Sequence, residues 1–173
     1  MEISADRGTH LTGFPISKRH IMASSWQKFE ELMRQEMRKI YSEAVVEHSM
    51  NPRNLGDLED ANGFARVTGP CGDTMSIWLK VNGDTIISAS FMTDGCGTTI
   101  ASGSMVTEMI QGKRISEAQK TTQHDVLAAL GGLPQESEHC ALLAANTLKA
   151  ALRDYIAMKQ EPWKRAYRKV ERE

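Results

Sequence analysis

Three cysteines carry most of the chemistry open to this chain. Cys71 stands in Gly69-Pro70-Cys71-Gly72-Asp73, Cys96 stands in Asp94-Gly95-Cys96-Gly97, and Cys140 directly follows His139. A thiolate is both a nucleophile and a soft metal ligand. Thiolates select zinc or iron–sulfur chemistry, and imidazole or carboxylate can complete a fourth position. A lone cysteine is more often a small buried hydrophobe than a ligand. Here each cysteine has glycine, aspartate or histidine beside it in place of an apolar stripe. Cys71, Asp73, Cys96, His139 and Cys140 are therefore read as one site. An odd number of widely spaced cysteines does not make the disulfide framework of a small secreted domain, so the thiols are expected to be reduced. His10, His20, His48 and His124 have no cysteine nearby and are read as surface, leader or capping residues.

The elements that must position these sulfurs follow from the hydrophobic pattern. Gly63 to Thr68 reads as a short strand. Met75, Ile77, Leu79 and Val81 then alternate with Thr74, Ser76, Trp78 and Lys80, which predicts a strand with one apolar face. Asn82-Gly83 marks a hairpin, because mirror-image turns need positive φ, and Thr85 to Thr93 is the returning strand. Cys71 thus falls at an exposed loop tip between the first two strands. After Gly97 a helix carries Ile100, Ala101, Met105, Met109 and Ile110 on one side and ends at Gly112, placing Cys96 at its N-terminus. Short helices are predicted from Ser116 to Lys120, capped by Ser116, and from Thr122 to Leu130, stopped by Gly131-Gly132. Ser137 is expected to cap a long helix to about Lys159, with Leu142, Ala145, Leu148, Ala151, Leu152 and Ile156 buried. Cys140 lies in its first turn. Helix N-termini lower thiol pKa values, so Cys96 and Cys140 are both expected as exposed, reactive thiolates.

Upstream, Phe29, Leu32, Met33, Met37, Ile40, Tyr41, Ala44 and Val45 recur at spacings of three and four. They predict one amphipathic helix from about Ser24 that stops before Asn51-Pro52. The whole reads as an α+β domain over residues 24–160: a small three-stranded antiparallel sheet, helices packed on one face, and a long C-terminal helix. Residues 1–23 lack an apolar period and are expected to be a disordered extension or tag, with Met22 an alternative start. Residues 161–173 form a charged tail. The 21 Lys and Arg balance 22 Asp and Glu, leaving no positive field to hold a nucleic acid. Apolar runs are too short to span a membrane and no secretory h-region is present, so a cytoplasmic location is expected.

With these motifs in hand, the chain resembles the IscU/NifU-type iron–sulfur cluster scaffold family over roughly Tyr41 to Tyr155. The resemblance rests on Asn51-Pro52-Arg53-Asn54, Gly69-Pro70-Cys71-Gly72-Asp73, and Gly95-Cys96-Gly97 with Ile100-Ala101-Ser102. Gly112-Lys113, Glu117-Ala118, Leu133-Pro134 and His139-Cys140 follow in order. It implies a scaffold, not an enzyme, that assembles a labile [2Fe–2S] cluster on Cys71, Cys96 and Cys140 and passes it to recipient apo-proteins or carriers. Asp73 and His139 are its candidates for the fourth ligand. The resemblance also implies a cysteine desulfurase as sulfur donor, with Cys140 as persulfide acceptor, and a ferredoxin-like electron donor. Zinc can occupy the same ligands in the cluster-free form, and either a monomer or a cluster-bridged dimer fits an exposed site. One stretch departs from the family: Leu133-Pro134-Gln135-Glu136-Ser137 replaces the Leu-Pro-Pro-Val-Lys motif read by an Hsp70-type chaperone. Chaperone-assisted transfer therefore does not carry over, and Glu136 and Glu138 are expected to raise thiol pKa values nearby. Two rival readings remain. One is a zinc-bearing persulfide acceptor, and the other a cysteine hydrolase using Cys140 or Cys96. A structural zinc domain would show paired C-x-x-C knuckles, which the sequence lacks.

Overall fold

The computed structural model describes residues 16–161 and Trp163; the readings for residues 1–15 and for most of the charged tail lie outside these. Two compact units divide after Met37. In the first, α1 (Ile16–Met37) begins upstream of the predicted start at Ser24. It brings the rings of Trp26 and Phe29 to 5.8 Å and pairs Arg34 with Glu30 one turn away.

The second unit runs from Arg38 and holds every other element. These are α2 (Glu43–Met50), β1 (Gly63–Thr68), β2 (Thr74–Asn82), β3 (Thr85–Thr93), α3 (Gly97–Ile110), α4 (Ile115–Ala118), α5 (Gln123–Ala129) and α6 (Glu138–Gln160). The single helix expected from Ser24 to Met50 is thus two. Its break is set by Ser42, whose Oγ accepts the Val45 N–H at 3.2 Å and donates to the Leu130 carbonyl. A serine that satisfies an orphan N–H starts a helix better than it continues one.

The strands form an antiparallel sheet in the order β1-β2-β3, as the alternating pattern predicts. Asn82 pairs with Thr85, so the hairpin turns on Gly83-Asp84, one residue later than Asn82-Gly83, and Gly83 alone supplies the positive φ of 62°. A register shift at Lys80/Val81 is stitched by Asn62, whose side chain exchanges hydrogen bonds with the Val81 backbone at 2.7 and 2.9 Å. Met75, Ile77, Leu79 and Phe91 are fully buried on one face under α3 and α6. Phe64, Arg66, Trp78 and Met92 line a groove with Leu58 on the other face, where the Phe64 and Trp78 rings lie 5.2 Å apart.

Close packing of α3 on the sheet depends on Gly103, where a Cβ would meet the Phe91 ring at 2.4 Å. Burial on α3 extends beyond the predicted apolar side. Thr98, Thr99, Ser102, Ser104 and Thr107 are all buried, and Ser102 and Thr107 return hydrogen bonds to carbonyls one turn back at 2.8 and 2.9 Å. In α6, Ala145, Leu148, Ala151 and Leu152 are buried as expected, but Leu142 is exposed and Ile156 only partly covered. Ala141, Ala144 and Tyr155 complete the true inner face, which is rotated from the predicted one. Asp154 on the same helix accepts the Phe64 N–H at 2.7 Å, tying α6 to β1.

The capping readings need two corrections. The short helix α4 starts at Ile115 with Arg114 as its cap residue and Glu117 accepting the Arg114 N–H at 3.0 Å, so Ser116 lies inside it. Ser137 occupies the cap position of α6 but ends a 3-10 turn, Gln135–Ser137, and its hydroxyl makes no capping bond. Thr122, read as the first residue of the second short helix, is the cap of α5: its hydroxyl accepts the Asp125 N–H and the Asp125 carboxylate accepts the Thr122 N–H.

His48 is buried, not superficial. Its Nδ1 lies 2.8 Å from Ser104 Oγ, and its Nε2 lies 3.1 Å from Arg53 Nη1, itself 2.6 Å from Glu108. Asn51-Pro52-Arg53-Asn54 is thereby a clasp between α2 and α3. Asn54, in the left-handed region at φ 60°, offers its carbonyl to the Phe91 N–H along the edge of β3. No helix among the described residues is long and apolar enough to cross a membrane.

Candidate functional site

The first turn of α3 is the hub of the site. Cys96 takes its N-cap position in extended backbone, leaving the N–H groups of the next turn without helical partners. Thr98 and Thr99 sit there with their hydroxyls directed at sulfur: Thr98 Oγ1 is 3.0 Å from Cys96 Sγ and 3.4 Å from Cys140 Sγ. Thr99 Oγ1 is 3.3 Å from Cys140 Sγ and donates to Asp73 Oδ2 at 2.8 Å. Two hydroxyls thus join Cys96, Cys140 and Asp73 into one cluster. Sequence reasoning missed both threonines, although a pair of hydroxyls just after a helix-capping cysteine was a readable signal.

Burial separates the two sulfurs. Burial alone would push the Cys96 thiol up, but the Thr98 and Thr99 hydroxyls and backbone N–H groups outweigh it and bring the pKa down to about 7. Cys140 is 1% exposed, and burial pushes its thiol above the ordinary value despite the same hydroxyls, with the Cys96 and Cys71 charges adding to the rise. The exposed thiolate expected at Cys140 is therefore not what the fold provides. One turn along α6 from Cys140, Leu143 and Ala144 enter the core, and the sulfur goes in with them.

Cys71 is exposed in the turn between β1 and β2. That turn is closed by Gly69 N–H to the Asp73 carbonyl at 2.8 Å and Gly72 N–H to the Gly69 carbonyl at 3.1 Å. Gly72 holds φ 92°, which favours glycine. The same turn carries Asp73 inward beside Gly95, where a Cβ would meet the Asp73 carboxylate at 2.5 Å and the Thr99 Cβ at 2.7 Å. His139 is half-buried with Nε2 3.6 Å from Cys140 Sγ. All five predicted residues thus lie at one end of the sheet, though among the described residues no three of these side chains close on a single ion in this conformation. Cys71 acts on Cys140 through its charge. A buried thiol with a raised pKa, 3.6 Å from its histidine, is the opposite of an activated nucleophile, so the hydrolase reading fails at Cys140.

The model of the family described as NifU-like N terminal domain matches residues 40–162, which include every residue of the site. The chain belongs to this family. Within it, the chain is 49% identical over 118 residues to iron-sulfur cluster assembly scaffold protein IscU 1 of Archaeoglobus fulgidus, covering 68% of this chain and 77% of that one. It is 45% identical over 125 residues to the scaffold protein IscU of Escherichia coli K12, covering 69% and 97%. The crystal structure of a NifU-like N-terminal protein from Brucella abortus superposes with a TM-score of 0.56 over 70% of this chain and 97% of that one. At 18% identity that likeness is one of fold. The sheet, the α3 hub and the long α6 are thus the frame of a NifU-like domain.

Proposed function

We propose that this chain is an iron–sulfur cluster assembly scaffold, whose cargo is a labile [2Fe–2S] cluster built on Cys71, Cys96 and Cys140 and then passed to recipient apo-proteins or carriers. The observation that carries the reading is the hydroxyl-bridged set of Cys96, Cys140 and Asp73 at the start of α3, with Cys71 on the facing turn. Three thiols with one carboxylate and one imidazole suit iron–sulfur cargo, and a position not filled by thiolate favours release over permanent retention. Zinc can take the same ligands in the cluster-free protein.

Sulfur comes from a cysteine desulfurase. A thiolate of the scaffold attacks the terminal sulfur of the donor's persulfide, the donor thiolate leaves, and the persulfide now sits on the scaffold. Cys140 was the acceptor expected from sequence, but Cys96, exposed and with a pKa of about 7, is the group ready for this attack. Converting that sulfane sulfur to sulfide takes two electrons, which a ferredoxin-like donor supplies. Leu133-Pro134-Gln135-Glu136-Ser137 lacks the second proline and the lysine that an Hsp70-type chaperone would read, so this reading does not rely on such a chaperone.

The test is anaerobic reconstitution with iron, cysteine and a cysteine desulfurase, followed by visible absorption and Mössbauer spectra on wild type and on C71S, C96S and C140S. The expected result is a [2Fe–2S] signature that each substitution abolishes and that apo-ferredoxin can take up. Tightly held zinc with a persulfide and no bound iron would replace this reading with the zinc-bearing sulfur acceptor.

A further inference from the structure

Asp73 has two carboxylate oxygens in unequal circumstances. Oδ2 accepts the Thr99 hydroxyl at 2.8 Å, while Oδ1 has no hydrogen bond among the described residues. Thr99 is fully buried, so its hydroxyl is held by packing, and Gly95 leaves the space in which the carboxylate and the threonine meet. The Thr99 hydroxyl has one proton to give and three acceptors within reach, Asp73 Oδ2 at 2.8 Å, Cys140 Sγ at 3.3 Å and Cys96 Sγ at 3.6 Å. The carboxylate takes the shortest bond. Ligating carboxylates are oriented by such partners, which hold one oxygen and aim the other.

We propose that Thr99 is a positioning residue that makes Asp73 a one-oxygen ligand of the cargo, holding Oδ2 on its hydroxyl so that Oδ1 is presented to iron. The inference rests on the scaffold reading above and deepens it, because it assigns the fourth protein position to Asp73 over His139. Among the described residues the His139 ring has a hydrogen-bond-range contact only with Cys140 Sγ, at 3.6 Å.

Cobalt(II) is the probe, since its sulfur-to-metal charge-transfer and ligand-field bands report thiolate and oxygen ligands without any cluster chemistry. The full chain is titrated anaerobically as wild type, T99V, T99S, D73A and the T99V/D73A double variant. Valine keeps the shape of threonine and removes only the hydroxyl, so T99V is expected to weaken cobalt by about 10–100-fold. T99S, which restores the hydroxyl, returns to within a few-fold of wild type, and T99V adds nothing in the D73A background. T99V that binds like wild type, T99S that fails to rescue, or a double variant much weaker than D73A would each overturn the assignment. A wild-type chain with no sulfur-to-cobalt band would instead sink the scaffold reading, and the inference with it.

Discussion

Cys96 and Cys140 share two threonine hydroxyls, yet one sulfur lies at the surface and the other beneath it. Because alkylation follows the thiolate, iodoacetamide labelling read by peptide mass spectrometry is expected to rise at Cys96 with a midpoint near pH 7. Cys140 stays protected to clearly higher pH; equal labelling of the two at neutral pH would contradict the assignment. The T98V variant removes the first of the hydrogen bonds that lower Cys96 and is expected to move its midpoint upward. The five candidate residues lie together at one end of the sheet, as the sequence reading expects, but Cys140 is buried where that reading has it exposed. Its neighbours His139 and Glu138 are polar, and the signal that mattered lay one turn further, at Leu143 and Ala144. Spacing names the candidate residues, while the depth of each depends on how a helix is rolled against the sheet.

At the scale of the elements, two contacts bear on stability. Gly103 lets α3 approach β3, so G103A drives a Cβ into the Phe91 ring and is expected to cost about 1–3 kcal/mol by urea unfolding. A variant as stable as wild type would mean that α3 shifts freely. The second contact is His48 between α2 and α3, where burial and then the Arg53 charge lower its pKa, with Glu108 and Glu47 opposing. The unfolded chain therefore binds the proton more readily than the folded one. The contribution of neutral His48 is complete above about pH 6.5 and is lost as pH falls from there toward the lower folded value. Unfolding midpoints are expected to drop as pH falls below about 6.5 in wild type, and less so in H48N. An equal drop in both would assign the effect to other groups. The strands were legible because Met75 to Val81 alternates strictly and a turn residue follows. The break before α2 was not, because the helical spacing of Phe29 to Val45 runs straight through Ser42, whose capping of the Val45 N–H and bond to the distant Leu130 carbonyl restart the helix.

For the molecule as a whole, the core that defines the fold lies between Tyr41 and Ile156, within the second compact unit. A chain beginning at Arg38 is accordingly expected to unfold cooperatively with a melting temperature within a few degrees of the full chain and to bind cobalt equally well. Loss of the cooperative transition would show that α1 belongs to the folding unit. This also bears on what could be read in advance: the α+β order, the sheet and the long final helix all arise within that unit from local patterns. The division after Met37 leaves no mark in the spacing of apolar residues.

Of the groups that would grip the cargo, Cys140 rides on α6 and Cys96 caps α3, whereas Cys71 and Asp73 ride on the Gly69 to Asp73 turn, closed by two backbone bonds. A multidentate host lets go one arm at a time, and the arm whose departure disturbs least goes first. Dwell time is then governed by that turn, with the helical frame left standing as a preformed cradle for the next round. Lengthening the turn by one glycine after Gly72 should accelerate loss of the cargo to a chelator while the melting temperature barely moves.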